Sequence, residues 1–198
     1  CGKSTIGKAM MGLIPCSGQI RFNGESITGL SRFNMKRVLR NIQMIFQDPG
    51  ASLDSRMKVG DQVAEPMVVH KIARGSELKD RVAYLFQRVG LSADSIERYP
   101  HEFSGGQRQR ICIARALSLS PKLIIADECV SALDVSIQAQ VLELLKELQQ
   151  DDGIAYLFIS HDMAVIEQMA DDVAVMQLGQ IVEYGHRDAV LRDPRHIY

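Results

Sequence analysis

An apolar run that ends in two carboxylates, Leu123-Ile124-Ile125-Ala126-Asp127-Glu128, constrains the fold of this chain more than any other segment. Four consecutive apolar residues predict a central strand and put Asp127 at its C-terminal end. In open α/β sheets that edge is where ligands bind. Two glycine-containing segments accompany it. Gly2-Lys3-Ser4-Thr5 lies at the start of the sequence, and Ser104-Gly105-Gly106-Gln107 stands shortly before the strand. Three phosphate-type motifs in this order describe a chain built to hold a nucleoside triphosphate and break its last phosphate bond.

Each motif has a chemical reason and a plainer alternative. In Gly2-Lys3-Ser4-Thr5 the glycine lets backbone N–H groups approach phosphate oxygens. The helix N-terminus adds a favourable dipole, Lys3 reaches the β/γ-phosphates, and the Ser4 hydroxyl can ligate Mg²⁺. Alone, the tetrapeptide reads equally well as an ordinary helix start. Asp127 can hold the Mg²⁺ shell, and Glu128 can orient or deprotonate an attacking water. Two carboxylates capping a loop are the alternative. Ser104 can cap a helix whose first turn bares the amides of Gly105 and Gly106, an anion site. A flexible loop is the alternative there, opposed by the helical pattern that follows from Gln107 to Leu117. Arg108, Arg110 and Arg115 add positive charge nearby and read as solvated helix-face residues.

The remaining pattern supplies an α/β rhythm. A helix is predicted over Gly2–Leu13, and a hairpin with Asn23-Gly24 as its two-residue turn. Asn41–Phe46 reads as a strand buried on both faces. Helical patterns then dominate: Asp61–His70, then Ser76–Val89, then a short helix capped by Ser92 that ends before Pro100. Strand 123–127 is followed by helix Ser136–Gln150, strand Ala155–Ser160, helix Asp162–Met169 and a second hairpin around Gly179. The expected fold class is α/β, a nucleotide-binding core with a mostly parallel sheet and antiparallel hairpins. One domain is expected, with residues 1–58 and 104–198 as the α/β core and 59–103 as an inserted helical subdomain.

Composition narrows the partners. A net charge of -1 over 198 residues gives no sign of a polyanion such as nucleic acid. Cys1, Cys16, Cys112 and Cys129 form no CxxC pair and read as free thiols in a reducing compartment. No stretch approaches the ~18 apolar residues of a membrane helix, so the chain is expected to be soluble and able to dock on a membrane protein. The sequence does not begin with Met and holds only the second half of a phosphate loop, which predicts a piece of a longer protein.

Taken in order, Gly2-Lys3-Ser4-Thr5, Phe46-Gln47, Ser104-Gly105-Gly106-Gln107, Asp127-Glu128, Ser131-Ala132-Leu133-Asp134 and Ser160-His161-Asp162 resemble the nucleotide-binding domain of ATP-binding cassette (ABC) ATPases. The resemblance covers nearly the whole chain. It implies ATP and Mg²⁺ as cofactors, with Ser4, Gln47 and Asp127 at the metal and Glu128, His161 and Gln47 as the catalytic set. His161 is the switch histidine that contacts the γ-phosphate. Gln47 links metal and water to a transport channel. Ser104, Gly105, Gly106 and Gln107 bind the γ-phosphate held by a second cassette, and Asp134 signals across that dimer. The stretches from Gln47 to Pro66 and from Gly153 to Asp162 resemble the branch that imports dipeptides, oligopeptides, nickel or glutathione.

The resemblance therefore implies four things about setting. The partners are a second nucleotide-binding domain, identical or not, and transmembrane permease subunits; a periplasmic or extracellular solute-binding protein acts indirectly. The place is the cytoplasmic face of the cell membrane, peripherally. Phe103 replaces the usual leucine of the signature, and Cys129 replaces the proline that usually follows the glutamate; that proline would fix φ, so a looser loop is expected. Two competing readings stand beside the importer: an ABC-type ATPase of DNA repair or translation, and an inactive fragment that lacks the complete nucleotide site and its adenine-stacking aromatic.

Overall fold

In a computed structural model, which describes residues 2–198, the chain enters through α1 (Lys3–Met10). Gly2 caps this helix at φ 96°, a backbone conformation that costs glycine little. The helix stops short of the expected Leu13. The Leu13 N–H instead reaches back to the Lys8 carbonyl at 2.9 Å, the 6→1 bond of a helix-ending cap. A hairpin follows, β1 (Arg21–Phe22) and β2 (Glu25–Ser26). Its turn residues Asn23 and Gly24 both have positive φ, 50° and 82°, as a type I′ turn requires. The next element, α2 (Arg32–Leu39), adds to the expected set; Ser31 caps it by accepting the Asn34 N–H.

Next come β3 (Ile42–Ile45), the short α3 (Pro49–Ser52), α4 (Val59–Val69) and α5 (Gly75–Arg88). Two 3₁₀ turns, Ala93–Ser95 and Pro100–Glu102, lead to α6 (Gly105–Leu117). The expected helix after Ser92 is thus a single 3₁₀ turn, with the Ser92 hydroxyl accepting the Asp94 N–H. The chain continues through β4 (Leu123–Asp127), α7 (Val135–Asp152), β5 (Ala155–Ile159) and α8 (Met163–Met169). It closes with the hairpin β6 (Asp172–Gln177) and β7 (Gln180–His186), then α9 (Arg187–Arg192), which the periodicity does not anticipate.

Strands β3, β4 and β5 form one sheet in that spatial order, all parallel. Its two faces explain the unbroken apolar runs. On one face Ile42, Met44, Ile125 and Ile159 pack under Met10 and Met11. Gly7 lets α1 lie close, since a Cβ there would sit 3.0 Å from Ile125 Cγ2. On the other face Ile45, Ile124 and Ala126 join a larger cluster. That cluster draws Val59, Val63 and Met67 from α4, Val82 and Phe86 from α5, Ile111 and Ile113 from α6, and Val141, Leu145 and Leu148 from α7. A strand covered on both faces has no polar side, so alternation disappears from its sequence. The α/β class and the parallel sheet with antiparallel hairpins are therefore as expected. No helix among the described residues is long and apolar enough to cross a membrane.

Candidate functional site

The start of α1 and the C-terminal ends of β4 and β5 converge. Ser4 Oγ donates to Asp127 Oδ1 at 2.8 Å, joining residues 123 positions apart. The parallel register explains the placement: Asp127 pairs with Ile159, so β4 and β5 end together and deliver Glu128 and His161 to one edge. Gln47 arrives there from the end of β3. Its Nε2 donates to Glu128 Oε2 at 2.9 Å. His161 Nδ1 lies 3.2 Å from Glu128 Oε1. Both oxygens of one carboxylate are thus engaged, by two side chains from different strand ends. Asp127 is buried, whereas the His161 side chain is 64 % exposed and free to turn toward a ligand.

The backbone at Glu128 is unusual. Its φ is 49°, in the left-handed region, which costs a non-glycine residue about 1–3 kcal/mol unless neighbours enforce it. Three hydrogen bonds do so. The Glu128 N–H donates to the Ile159 carbonyl at 2.9 Å, and the Glu128 carbonyl accepts both the Ser131 N–H (3.1 Å) and the Ser131 hydroxyl (2.9 Å). Ser131 is therefore a positioning residue whose work the sequence hides, because its bonds go to backbone. Cys129, where a looser loop was expected, tucks its thiol into the large apolar cluster, and burial pushes that thiol up to about 12. The loop carrying Glu128 is held by packing and hydrogen bonds in place of a proline ring.

Lys3 is half-buried at the first position of α1, beside Ser4, and makes no ion pair among the described residues. Thr5 is exposed. Octahedral Mg²⁺ holds its oxygens at about 2.0–2.1 Å, which sets neighbouring ligands about 2.9 Å apart. Ser4 Oγ and Asp127 Oδ1 already have that spacing. Among the described residues no three His, Cys, Asp or Glu side chains converge as a metal set. A cation on Ser4 and Asp127 would complete its shell with phosphate oxygens and water, the ordinary arrangement for Mg²⁺.

A second group forms at the N-termini of α6 and α7. Ser104 Oγ accepts the Gln107 N–H at 3.2 Å, and Gln107 Oε1 accepts the Ser104 N–H at 3.0 Å, a reciprocal capping box. Asp134 caps α7 by accepting the Ile137 N–H at 3.1 Å. The two caps are packed together: a Cβ on Gly106 would fall 2.3 Å from Ile137 Cγ2, and one on Gly105 would touch Leu133 at 3.8 Å. Gly106 thus answers a packing need that the sequence motif does not reveal. No side-chain hydrogen bond among the described residues joins this second group to Lys3 and Ser4.

Three nearby residues depart from expectation. Arg108, Arg110 and Arg115 are half-buried rather than solvated. Arg110 donates to the Val89 carbonyl at 2.8 Å, and Arg115 donates to the Ser52 carbonyl at 2.7 Å. These arginines tie α6 to the ends of α5 and α3, where orphan carbonyls need donors. Phe103, in place of the usual leucine, is buried in the same apolar cluster.

Comparison with known proteins bears on this arrangement. The ABC transporter family profile matches residues 1–131. The glutathione import ATP-binding protein GsiA of Escherichia coli O6:H1 (strain CFT073) is 59% identical over 198 residues, covering 100% of this chain and 32% of that protein. The protein of the same name from Pectobacterium atrosepticum is 56% identical, with the same coverage. The chain spans about a third of the length of these curated relatives. Among solved structures, cbiO1 from Clostridium perfringens, described as part of the ABC transporter complex cbiONQ, superposes with a TM-score of 0.84 at 30% identity, over 97% of this chain and 75% of that one. An ATP-binding cassette solved as a dimer in a post-hydrolysis state with ADP and Pi superposes with a TM-score of 0.82 at 25% identity, over 94% and 81%.

Proposed function

The chain belongs to the ABC transporter family, and on that premise we propose that it forms most of the ATP-hydrolysing domain of an importer subunit. The observation that carries this reading is the edge where Ser4 meets Asp127 while Gln47 and His161 flank Glu128. In this reading Gly2, Lys3, Ser4 and Thr5 hold the β- and γ-phosphates of ATP, through the Lys3 ammonium and the amides at the start of α1. Ser4 and Asp127 would hold Mg²⁺, with Gln47 at its margin, and the bound ion would supply charge neutralisation at the phosphate oxygens.

Glu128 orients the attacking water and accepts its proton. Its carboxylate is already aimed by the Gln47 amide and flanked by the His161 ring, so a water enters beside an ordered side chain rather than waiting for it to be ordered. His161 turns from Glu128 to the γ-phosphate. Ser104, Gly105, Gly106 and Gln107 of a second nucleotide-binding domain close over the same phosphate, and Asp134 reports closure between the two. Residues 59–103 act as the helical subdomain, with Gln47 next to it coupling hydrolysis to the transmembrane permease. A solute-binding protein delivers cargo on the far side of the membrane.

Two similar proteins named for glutathione import support a peptide-sized thiol cargo. The place of action is the cytoplasmic face of the membrane. Cells that make the protein at its full natural length with Glu128→Gln should fail to accumulate labelled glutathione while the protein still binds ATP. Uptake at the wild-type rate overturns the reading.

A further inference from the structure

Arg115 stands in the last turn of α6, half-buried, and forms no ion pair among the described residues. Its Nη1 donates instead to the Ser52 carbonyl at 2.7 Å, a charge-assisted bond between residues 63 positions apart. What Ser52 is tied to gives this bond its meaning. The Ser52 N–H and hydroxyl both donate to the Asp48 carbonyl, at 3.1 and 2.7 Å. Asp48 Oδ1 accepts the Gly50 N–H at 2.7 Å, and Pro49 between them is buried, its φ fixed by the ring. Residues 48–52 thus form a closed knot that moves as a unit. Among the described residues, the bond from Arg115 is the one side-chain hydrogen bond that joins this knot to another element.

A second observation sets the knot against α6. Burial pushes the Cys112 thiol up to about 11; the Arg115 charge opposes that rise and the Asp48 charge adds to it. Cys112, one turn before Arg115, therefore lies within reach of both. Gln47 immediately precedes the knot. Its Nε2 donates to Glu128 Oε2 at 2.9 Å, and its side chain makes no other hydrogen bond among the described residues. That side chain belongs to an exposed residue, so packing does not hold it. The position of its amide is set by the backbone on either side. Before it lies the end of β3, fixed by pairing with β4; after it lies the knot, fixed by Arg115.

We propose that Arg115 is a positioning residue for ATP hydrolysis: it anchors residues 48–52 to α6 and so holds the Gln47 amide on Glu128. The inference rests on the roles given above to Gln47 and Glu128. Arg110 offers the natural control. It too donates to a backbone carbonyl, that of Val89, but at the end of α5 and outside the knot.

The test is steady-state ATP turnover by the protein at its full natural length. A displacement of about 1 Å near the chemistry costs on the order of 100-fold in rate. Arg115→Met should therefore lower kcat by roughly 10- to 100-fold and leave KM for ATP within about twofold, because Lys3 and Ser4 on α1 are untouched. Arg115→Lys, which still offers a donor, should recover most of the loss. On a Gln47→Ala background, Arg115→Met should cost less than about twofold more, read against the Glu128→Gln floor. Arg110→Met should lower the melting temperature without that loss of kcat. Ser52→Ala opens the knot without touching α6. It should show a smaller kcat loss that also disappears on Gln47→Ala, and it decides the matter should Arg115→Met not fold. The proposal is overturned if Arg115→Met costs the same factor with and without Gln47, if its loss lies in KM, or if Arg110→Met loses kcat equally. Wild-type turnover by Glu128→Gln would bring down the reading of the site and this inference with it. A slow Glu128→Gln beside an additive cycle overturns this inference alone.

Discussion

Replacing Gly106 with alanine puts a methyl carbon 2.3 Å from Ile137 Cγ2, where carbon atoms settle at about 3.5–4.0 Å. One of the two helices must move by more than about 1 Å, or Ile137 must leave its rotamer. Overpacking of this kind costs about 1–3 kcal/mol. Alanine's better helix propensity returns at most about 1 kcal/mol. The net expectation is about 1–2 kcal/mol of destabilisation, or a melting temperature lower by about 2–8 °C for a chain of this size. Urea denaturation reads it directly as a lower midpoint at unchanged slope. The decisive arm is Ile137→Ala. That change removes the obstructing methyl, so Gly106→Ala on that background should be neutral or stabilising, a coupling of at least about 1 kcal/mol. A Gly106→Ala penalty that is the same size in both backgrounds refutes the packing argument. The double variant, if folded but slow in ATP turnover, then isolates the glycine's role toward phosphate from its role toward α7.

Asp134 caps α7, so Asp134→Ala should cost about 1 kcal/mol of stability. Asp134→Asn should keep the cap and the melting temperature yet still slow turnover; recovery of both would leave the aspartate as a cap only. Ser4→Ala should reduce Mg²⁺-dependent turnover by at least roughly 10²-fold while ATP binding in chelator is unchanged; equal loss of both would place Ser4 outside the metal shell. Cys16 is exposed, while Cys112 and Cys129 are buried. A thiol reagent should therefore modify Cys16 in the native protein and reach Cys112 and Cys129 only after denaturation. Burial pushes Cys112 up to about 11 and Cys129 up to about 12, from 9.0. Both keep their proton longer in the folded chain than in the unfolded one. Their stabilising contribution is complete below about pH 9 and falls as pH rises through 11 and 12. Urea midpoints should thus drop between pH 8 and pH 10.5, and Cys129→Ala should flatten that drop.

The sequence disclosed those parts of the fold whose physics is local. Asn23-Gly24 announces its turn, Ser104 and Gln107 announce their capping box, and the apolar run before Asp127 ends where β4 ends. Its account of α2 and α9 was silent because both are short, charged helices held by caps at Ser31 and His186 rather than by an apolar stripe. The residue types named as a candidate site, Ser4, Gln47, the pair Asp127-Glu128 and His161, come from four separated segments and meet at one sheet edge. What stayed hidden is whatever works through backbone or shape. Ser131 acts on a carbonyl, Gly106 makes room for Ile137, and Arg110 and Arg115 serve helix and loop carbonyls while looking like surface charge.

The central claim is that Glu128 takes the proton of the attacking water at an edge built by Ser4 and Asp127. ATP turnover and ATP affinity of the Glu128→Gln protein, measured side by side at its full natural length, test it most directly. The substitution keeps the shape and the Gln47 contact but removes the base. Turnover should fall by roughly 10²–10⁴ with ATP affinity unchanged. Wild-type turnover in that variant would contradict the claim outright.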